Sequence, residues 1–296
     1  MRFVLGEEQR DFAAALESLL AASDTVAVAR AWADGDTAPG LKLWSRLADQ
    51  GVTALATDAS AVEVCVAFEA LGRYAVPGPW VESAAYAPVL LGREVADVAT
   101  AAVRPHVPYA LDADVAATVL LVDGDDVTTA DVGSLHRSVD PARRLFDVTA
   151  GVSTSSAGGP EAAFELAVLA TSAQLLGLGE HLLTATVEYA KQRRQFGREI
   201  GSYQAIKHRL ADVRIALDFA RPLVFGAALG DVPASAAKVA CGDAAYLAAR
   251  TALQVHGAVG YTRELDLSLW IMKVRALVTA WGTPAYHRRR VLEAIS

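Results

Sequence analysis

The sequence predicts a mainly α-helical protein in three parts: a helical N-terminal block, a short β-block and a C-terminal helical bundle. Three observations carry this. Apolar residues recur at helical spacing up to about residue 93 and again after residue 160. Between these blocks the period shortens to that of strands, and the chain turns at an Asp-Gly pair. Proline- and glycine-bearing stretches separate the blocks, giving parts 1–93, 94–159 and 160–296.

In the first part, Phe3, Leu5, Phe12, Leu16, Leu19 and Leu20 set the opening apolar stripe. A polar break at Asp34–Gly40 precedes Leu41, Leu43, Trp44 and Leu47, which predict a second helix. A third runs from Ala61 to Arg73 and stops at Tyr74–Pro79, where two prolines and a glycine prevent continuation. In the middle part, Asp114–Val132 reads as two strands joined through Asp123–Asp126, and Arg143–Val152 as another. Three to five strands are expected in this reduced β-domain, too few for a substantial barrel. Ser153–Pro160 reads as a linker.

In the third part, Pro160–Glu161 opens a long helix reaching about Arg193, with Phe164, Val168, Leu175, Leu178, Leu182 and Val187 on its apolar face. Gly201–Ser202 offers an N-cap for the next helix, through Ile206, Leu210, Val213 and Leu217. Pro222 is expected to kink or break it before Gly230. Ala234–His256 is Ala-rich and permits close helix approach; Leu265–Ala280 and Pro284–Ile295 complete the set. Four or five long antiparallel helices make a bundle.

Composition limits the function. Hydrophobic residues are 53% and charged residues 21%, enough for a sizeable core. Mean hydropathy is +0.28. The apolar stretches at Ala13–Ala22, Val115–Val122 and Ala236–Ala249 are nevertheless soon interrupted by charge, short of the roughly 18 residues a membrane span requires. The start carries two Glu where a secretory signal has its apolar core. The expectation is a soluble, cytoplasmic chain with no membrane partner. A net charge of −7 argues against nucleic acid. Cys65 and Cys241 are expected as buried reduced thiols, and without CxxC, HExxH or a clustered ligand set no metal is expected.

Two segments carry chemistry. In Glu188–Arg214, Lys191, Arg193, Arg194 and Arg198 cluster at a helix end before a glycine-bearing turn, beside Tyr203, Gln204, Lys207, His208 and Arg209. Such a set is either a solvated basic face, favoured at a helix C-terminus, or a site for a pyrophosphate that the guanidinium fork fits. In Ala252–Leu267, Gly257 and Gly260 precede Tyr261. These glycines make a helix–helix turn or let backbone approach a cofactor closely. The strand–GxGxxG–helix context of a dinucleotide fold is missing.

Together, RRQFGREIGSYQAIKHRLADV (Arg193–Val213), QVHGAVGYTRELDL (Gln254–Leu267) and WGTPAYHRRRV (Trp281–Val291) resemble the C-terminal domain of flavin-dependent acyl-CoA dehydrogenases. The start, FVLGEEQRDFAAAL, and the helix end EALGRY (Glu69–Tyr74) fit the same family less closely. The resemblance is strong over 160–296. It implies a bundle that builds a dimer or tetramer with FAD at a subunit interface. A carboxylate takes the α-proton of an acyl-CoA thioester while the β-hydride goes to the flavin, giving a trans-2-enoyl-CoA. Electrons then pass to an electron-transfer flavoprotein or similar acceptor. By the same resemblance Arg193 contacts FAD phosphates, Phe196 lies beside the cofactor and Gln204 is a polar FAD contact. Gln254 and Gly257, with Ala258 replacing a second glycine, match a loop that touches the neighbouring subunit's FAD, and Thr283 is a further cofactor contact.

The departures matter more. The usual base position, just before Gly282–Thr283, holds Trp281, and the alternative on the first long helix of the bundle holds Ala167. Neither accepts a proton. Glu165, two residues away and about 200° around the helix, faces elsewhere and reads as an exposed first-turn acid. No Thr-Glu-Pro-like segment followed by Gly-Ser occurs between residues 93 and 160, and the loop before the third N-terminal helix is shortened to Ala56–Glu63.

The resemblance therefore implies the base-lacking subunit of a bacterial heteromer of the steroid-degradation type. It would share FAD with a second acyl-CoA dehydrogenase-like subunit, as a heterodimer or heterotetramer. Two alternatives stay open: a self-sufficient homo-oligomer with a displaced base among Glu165, Glu180 and Glu264, and a flavin-free scaffold. Glu180 reads as a surface or interface carboxylate and Glu264 as a local partner of Arg263. His256 is expected to pack or hydrogen-bond rather than catalyse, His106 has no placement, and Trp281 is expected to face the vestigial pocket and block acyl entry.

Overall fold

The computed structural model describes residues 4–157 and 159–296; Phe3, and Gly158 of the Ser153–Pro160 linker, lie outside the described residues. Helix α1 (Glu7–Ala21) carries Glu7 and Glu8 in its first turn, where negative charge suits the helix dipole. The chain then bends by 65°. Asp24, whose carboxylate accepts the Ala27 N–H at 3.1 Å, starts a separate α2 (Thr25–Ala33). Helix α3 (Ala38–Ala48) begins inside the expected Asp34–Gly40 break, because Pro39 is compatible with a first helical turn. After α4 (Leu55–Asp58), Ser60 and Glu63 form a capping box that opens α5 (Ala61–Arg73), with the bounds the sequence predicts. Past Tyr74–Pro79 the chain turns helical again, as a π-turn at Glu82–Tyr86 running into α6 (Ala87–Leu91). The sequence reading omitted this stretch, whose nearly all-apolar run carries no helical stripe.

The middle part is one five-stranded sheet: β1 (Ala99–Arg104), β2 (Ala110–Leu111), β3 (Thr118–Asp123), β4 (Asp126–His136) and β5 (Leu145–Ser153), in the order β1-β3-β4-β5-β2. The β3–β4 hairpin turns where expected, with Gly124 at φ +61°. Strand β1 pairs parallel to β3; the other neighbours are antiparallel. Ala101, Leu120 and Val122 join the main core, whereas most of β4 and β5 is exposed.

Helix α7 (Pro160–Gln192) is the spine of the third part. It is long and apolar enough to cross a membrane, and 83% of its most apolar window is buried inside the protein. A two-stranded hairpin, β6 (Arg194–Gln195) and β7 (Arg198–Glu199), follows, then α8 (Gln204–Ala228), α9 (Ala234–His256), α10 (Leu267–Leu277) and α11 (Pro284–Ile295). Two expectations are corrected here. Helix α8 starts from Tyr203, not Gly201–Ser202, because the Ser202 hydroxyl donates to the Glu199 carbonyl at 2.6 Å within a 3-10 turn. Pro222 does not end α8, since Val213, Leu217, Ala220 and Val224 bury along both sides of it and offset the lost hydrogen bond.

The parts are joined closely. A methyl group at Gly72 of α5 would lie 2.0 Å from the Gln174 carbonyl oxygen, and one at Gly177 of α7 would lie 1.9 Å from that of Glu69. Only glycine permits that contact. Buried Asp140 pairs with Lys273 of α10 at 3.0 Å, and buried Asp112 accepts from Trp32 of α2 at 3.1 Å and pairs with Arg144 at 3.2 Å. Cys65 and Cys241 are buried free thiols. Burial pushes the Cys241 thiol up to about 12.

Candidate cofactor and substrate site

Helix α7 closes at Arg193, whose N–H donates to the Tyr189 carbonyl at 2.9 Å and whose carbonyl accepts from the Ile200 N–H at 2.8 Å. These bonds clamp the β6–β7 hairpin at its root. Its turn is Phe196–Gly197, at φ +54° and +82°, the left-handed pair a two-residue type I′ loop needs. The turn thrusts Phe196 out to 92% exposure. Arg198 lies over the Tyr203 ring at 3.9 Å, and Tyr203 donates from its hydroxyl to the Gln195 carbonyl at 3.3 Å. The basic cluster the sequence placed before a simple turn is thus a braced prong. Arg193 and Arg194 are exposed and pair with no carboxylate among the described residues.

Gln204, exposed, begins α8. Helices α8 and α9 lie together, so that Arg209, Arg250 and Gln254 line one open cavity of about 390 Å³. At the end of α9, buried His256 stacks on Tyr189 at 4.1 Å and donates from Nδ1 to the Ala252 carbonyl at 2.8 Å. This is the packing role expected of it, and it ties the α7 and α9 ends together. Gly257 closes α9 at φ +64°, with Ala258 exposed beyond it. Arg193, Phe196, Gln204, Gln254, Gly257 and Ala258 therefore gather at one end of the bundle.

Thr283 is elsewhere. Its hydroxyl accepts from the Tyr286 N–H at 3.2 Å and caps α11, and His287 of α11 meets Ser235, at the start of α9, at 2.9 Å. From Ser235 to Gln254 the helix runs about 28 Å. One compact site in one chain does not hold all seven positions.

Beside Thr283, Trp281 is 1% exposed, at φ +55°, with Tyr86 at 4.9 Å and Phe164 at 5.9 Å between ring centres. Ala167, the other base position, is 0% exposed on α7. Trp281 borders a cavity of about 560 Å³ between the sheet and the end of α10, so space remains beside the indole. Glu82 of the π-turn, 2% exposed, also borders it. Burial raises the Glu82 carboxyl above the usual carboxylate range, while the Arg143 charge and the Trp281 indole pull the other way. The sequence reading missed Glu82; its one signal was an acid inside an otherwise nearly apolar run. His106, unplaced from sequence, lines the same cavity against Tyr286 at 4.1 Å, and burial and the Arg290 charge hold it below the usual histidine range.

The other carboxylates considered as bases do not border this cavity. Glu165 is not a free first-turn acid but pairs with Arg290 of α11. Glu180 is not a plain surface carboxylate: it pairs with Arg214 at 2.7 Å and Arg221 at 3.0 Å. Glu264 is exposed without an ion pair among the described residues; the neighbouring Arg263 carbonyl accepts from Arg30 at 3.0 Å.

Comparison with known proteins agrees with this architecture. The family model described as the C-terminal domain of acyl-CoA dehydrogenases matches residues 161–296. The chain is 30% identical over 243 residues to acyl-CoA dehydrogenase IpdE2 of Mycolicibacterium smegmatis, covering 77% of each. It is 29% identical to IpdE2 of Mycobacterium tuberculosis, covering 96% of each. Among solved structures, the ChsE4-ChsE5 complex from Mycobacterium tuberculosis superposes with a TM-score of 0.84 at 21% identity, over 100% of this chain and 99% of that one. A steroid acyl-CoA dehydrogenase, Tcur3481-Tcur3483, also gives 0.84, at 20% identity over 99% and 98%. Fold and site define a helical-bundle oxidoreductase of the flavin-dependent class. The chain belongs to the acyl-CoA dehydrogenase family.

Proposed function

We propose that this chain is the base-lacking subunit of a heteromeric FAD-dependent acyl-CoA dehydrogenase of the steroid-degradation type. It lends half of a cofactor site to a partner subunit that carries the base. The observation that supports this most is an asymmetry. Both base positions are buried, non-titrating side chains, Trp281 and Ala167, while the cofactor end is exposed and its arginines have no carboxylate partners among the described residues.

The residues present fit FAD. In a chain of net charge −7, Arg193, Arg194 and Arg198 project from one braced hairpin, with the exposed amides of Gln204 and Gln254 at the same end. Arg193 and its neighbours bind phosphate oxygens through charge-assisted hydrogen bonds. The two amides orient polar edges, and Phe196 excludes water from the contact. When bound, FAD supplies the hydride acceptor for α,β-dehydrogenation of an acyl-CoA thioester. The α-proton goes to a carboxylate of the partner, and an electron-transfer flavoprotein or similar acceptor takes up the electrons. That Thr283 lies at the other end of the bundle fits an assembly in which the two ends of this chain face different cofactor positions.

Flavin absorbance of the full chain, purified alone and with the product of the neighbouring gene, tests this. A colourless chain and a yellow complex are expected, with Arg193→Ala lowering flavin content of the complex. A lone chain that retains FAD and dehydrogenates acyl-CoA overturns the reading. One observation favours that second reading: the Glu82 carboxyl shares the Trp281 cavity. Under it Glu82→Gln abolishes turnover, whereas under the heteromeric reading loss of the partner's own base does so.

A further inference from the structure

Strand β5 has one neighbour along most of its length. Strand β2 covers its outer edge only at Leu145 and Phe146; from Asp147 to Ser153, β5 pairs with β4 alone among the described residues. On the β2 side the Arg144 carbonyl accepts from the Asp112 N–H at 2.7 Å, and Phe146 lies opposite Ala110. Backbone groups alternate sides along a strand, so Val148 and Ala150 also turn their N–H and C=O away from β4. Neither residue bonds to backbone outside the ladder among the described residues. Pairing with β4 is regular from Val148 to Ala150, which keeps this open edge straight. Natural edges are guarded by lysine, proline or inward-pointing charge. Strands β4 and β5 contain no Lys, Arg or Pro; their carboxylates are Asp126, Asp131 and Asp147. Asp147 meets His136 at 2.6 Å, and Asp131 meets no basic group among the described residues. The two faces differ. Phe146 and Val148 belong to a small core with Ala110 and Leu121, whereas Asp147 and Thr149 are exposed on the other face, with Asp131 opposite Thr149.

We propose that the open edge of β5 takes up an extended segment of the partner subunit in which apolar residues alternate with basic ones. The inference rests on the heteromeric reading of the chain. Backbone hydrogen bonds to Val148 and Ala150 supply the pairing. On one face the apolar side chains of the added strand extend the small core past Val148. On the other, a cation opposite Thr149 lies diagonal to Asp147, and unlike charges favour that register. A second copy of this chain fits the edge less well, because β5 would bring another Asp147 and no cation.

Two measurements test the proposal. In the first, the full chain is titrated at low salt with a capped hexapeptide that alternates valine with lysine. One control peptide carries glutamate in place of lysine; another keeps the lysines and has every backbone nitrogen methylated. The lysine peptide is expected to bind, and each control about tenfold more weakly or less. Ala150→Pro removes an outward N–H that an edge strand can spare, and Thr149→Lys adds a repelling charge; each should weaken the lysine peptide about tenfold. Thermal denaturation of both variants separates lost binding from lost folding. A control peptide that binds as well, no binding at millimolar concentration, or binding unchanged in both variants overturns the proposal. In the second, amide hydrogen exchange is followed in the full chain, alone and with the product of the neighbouring gene. Exchange at Val148 and Ala150 should slow about tenfold or more in the complex. A complex that forms while both amides exchange as fast as before overturns this docking edge and leaves the heteromeric reading standing. Absence of any complex overturns that reading instead, and the peptide titration then decides the edge by itself. A homodimer of this chain that Ala150→Pro dissociates makes the occupant a second copy and overturns the assignment to a partner.

Discussion

His287 donates from Nε2 to the carbonyl oxygen of Trp281 at 2.8 Å, and that bond fixes a backbone turn in which Trp281 takes φ +55°. A carbonyl only accepts, so Nε2 carries the proton, and in the neutral ring Nδ1 accepts from the Ser235 hydroxyl at 2.9 Å. Burial, and then the Lys238 charge, push the imidazole down to about 4, which keeps it in that neutral form. A left-handed tryptophan costs on the order of 1 kcal/mol or more and persists only where its surroundings hold it. His287→Ala should therefore lower unfolding free energy by about 2–3 kcal/mol, and Ser235→Ala by about 1 kcal/mol. Urea unfolding measures both. A loss under about 0.5 kcal/mol for His287→Ala would mean that the loop holds itself.

Stability should fall between about pH 6.5 and pH 4. His181, stacked flat on Trp270 at 3.9 Å, is pushed to about 4 by burial, as is His287. An unfolded histidine titrates near 6.5. Within that window the unfolded chain takes up protons that the folded chain refuses, so stability is full above the window and declines as pH drops toward 4. His181→Phe keeps a stacking ring and removes one of the three lowered histidine titrations, those of His106, His181 and His287, so the slope of melting temperature against pH should shrink. An unchanged slope would count against the assignment.

Glu180 bridges Arg214 and Arg221, and Arg221 also holds Glu69 at 2.8 Å. Glu180→Gln should cost about 1–2 kcal/mol, discounted because both arginines are partly exposed and keep other carboxylates. Turnover of the assembled enzyme should stay within about twofold, and the same holds for Glu165→Gln and Glu264→Gln. A variant that folds normally yet loses turnover would reinstate a displaced base.

Gly72→Ala separates two opposed effects. Helix propensity alone would stabilise α5 by about 1 kcal/mol. The methyl group would also sit 2.0 Å from the Gln174 carbonyl, which belongs to the backbone of α7 and has no rotamer to yield. The clash should win, with a net loss of about 2 kcal/mol or more in chemical denaturation. A stabilised variant would show that α5 and α7 slide freely past one another.

Much of the framework was legible before folding. The bounds of α5 and α9, the start of α7 and the Asp123–Asp126 turn follow from local signals: a capping box, a proline at a first turn, a glycine with positive φ. The omissions share a cause. The α1–α2 break rests on one aspartate cap, the β6–β7 hairpin on four residues, and the persistence of α8 through Pro222 on packing from neighbouring helices. None of these leaves a periodic trace.

The same division runs through the site. The order of Arg193, Phe196, Gln204, Gln254 and Gly257 along the chain, and the absence of a carboxylate at positions 167 and 281, are properties of covalent sequence, and they carried the family resemblance. Position in space is not. Only the antiparallel return of α9 along α8 puts Gln254 beside Arg209, and only the length of α9 sets Thr283 at the far end of the bundle. Glu82, 199 positions before Trp281, meets it in one cavity because α7 carries both the π-turn and the α11 loop on its surface. Side-chain identity fixed which groups could do chemistry; burial and helix packing decided which of them share a wall, which are buried and which stay exposed.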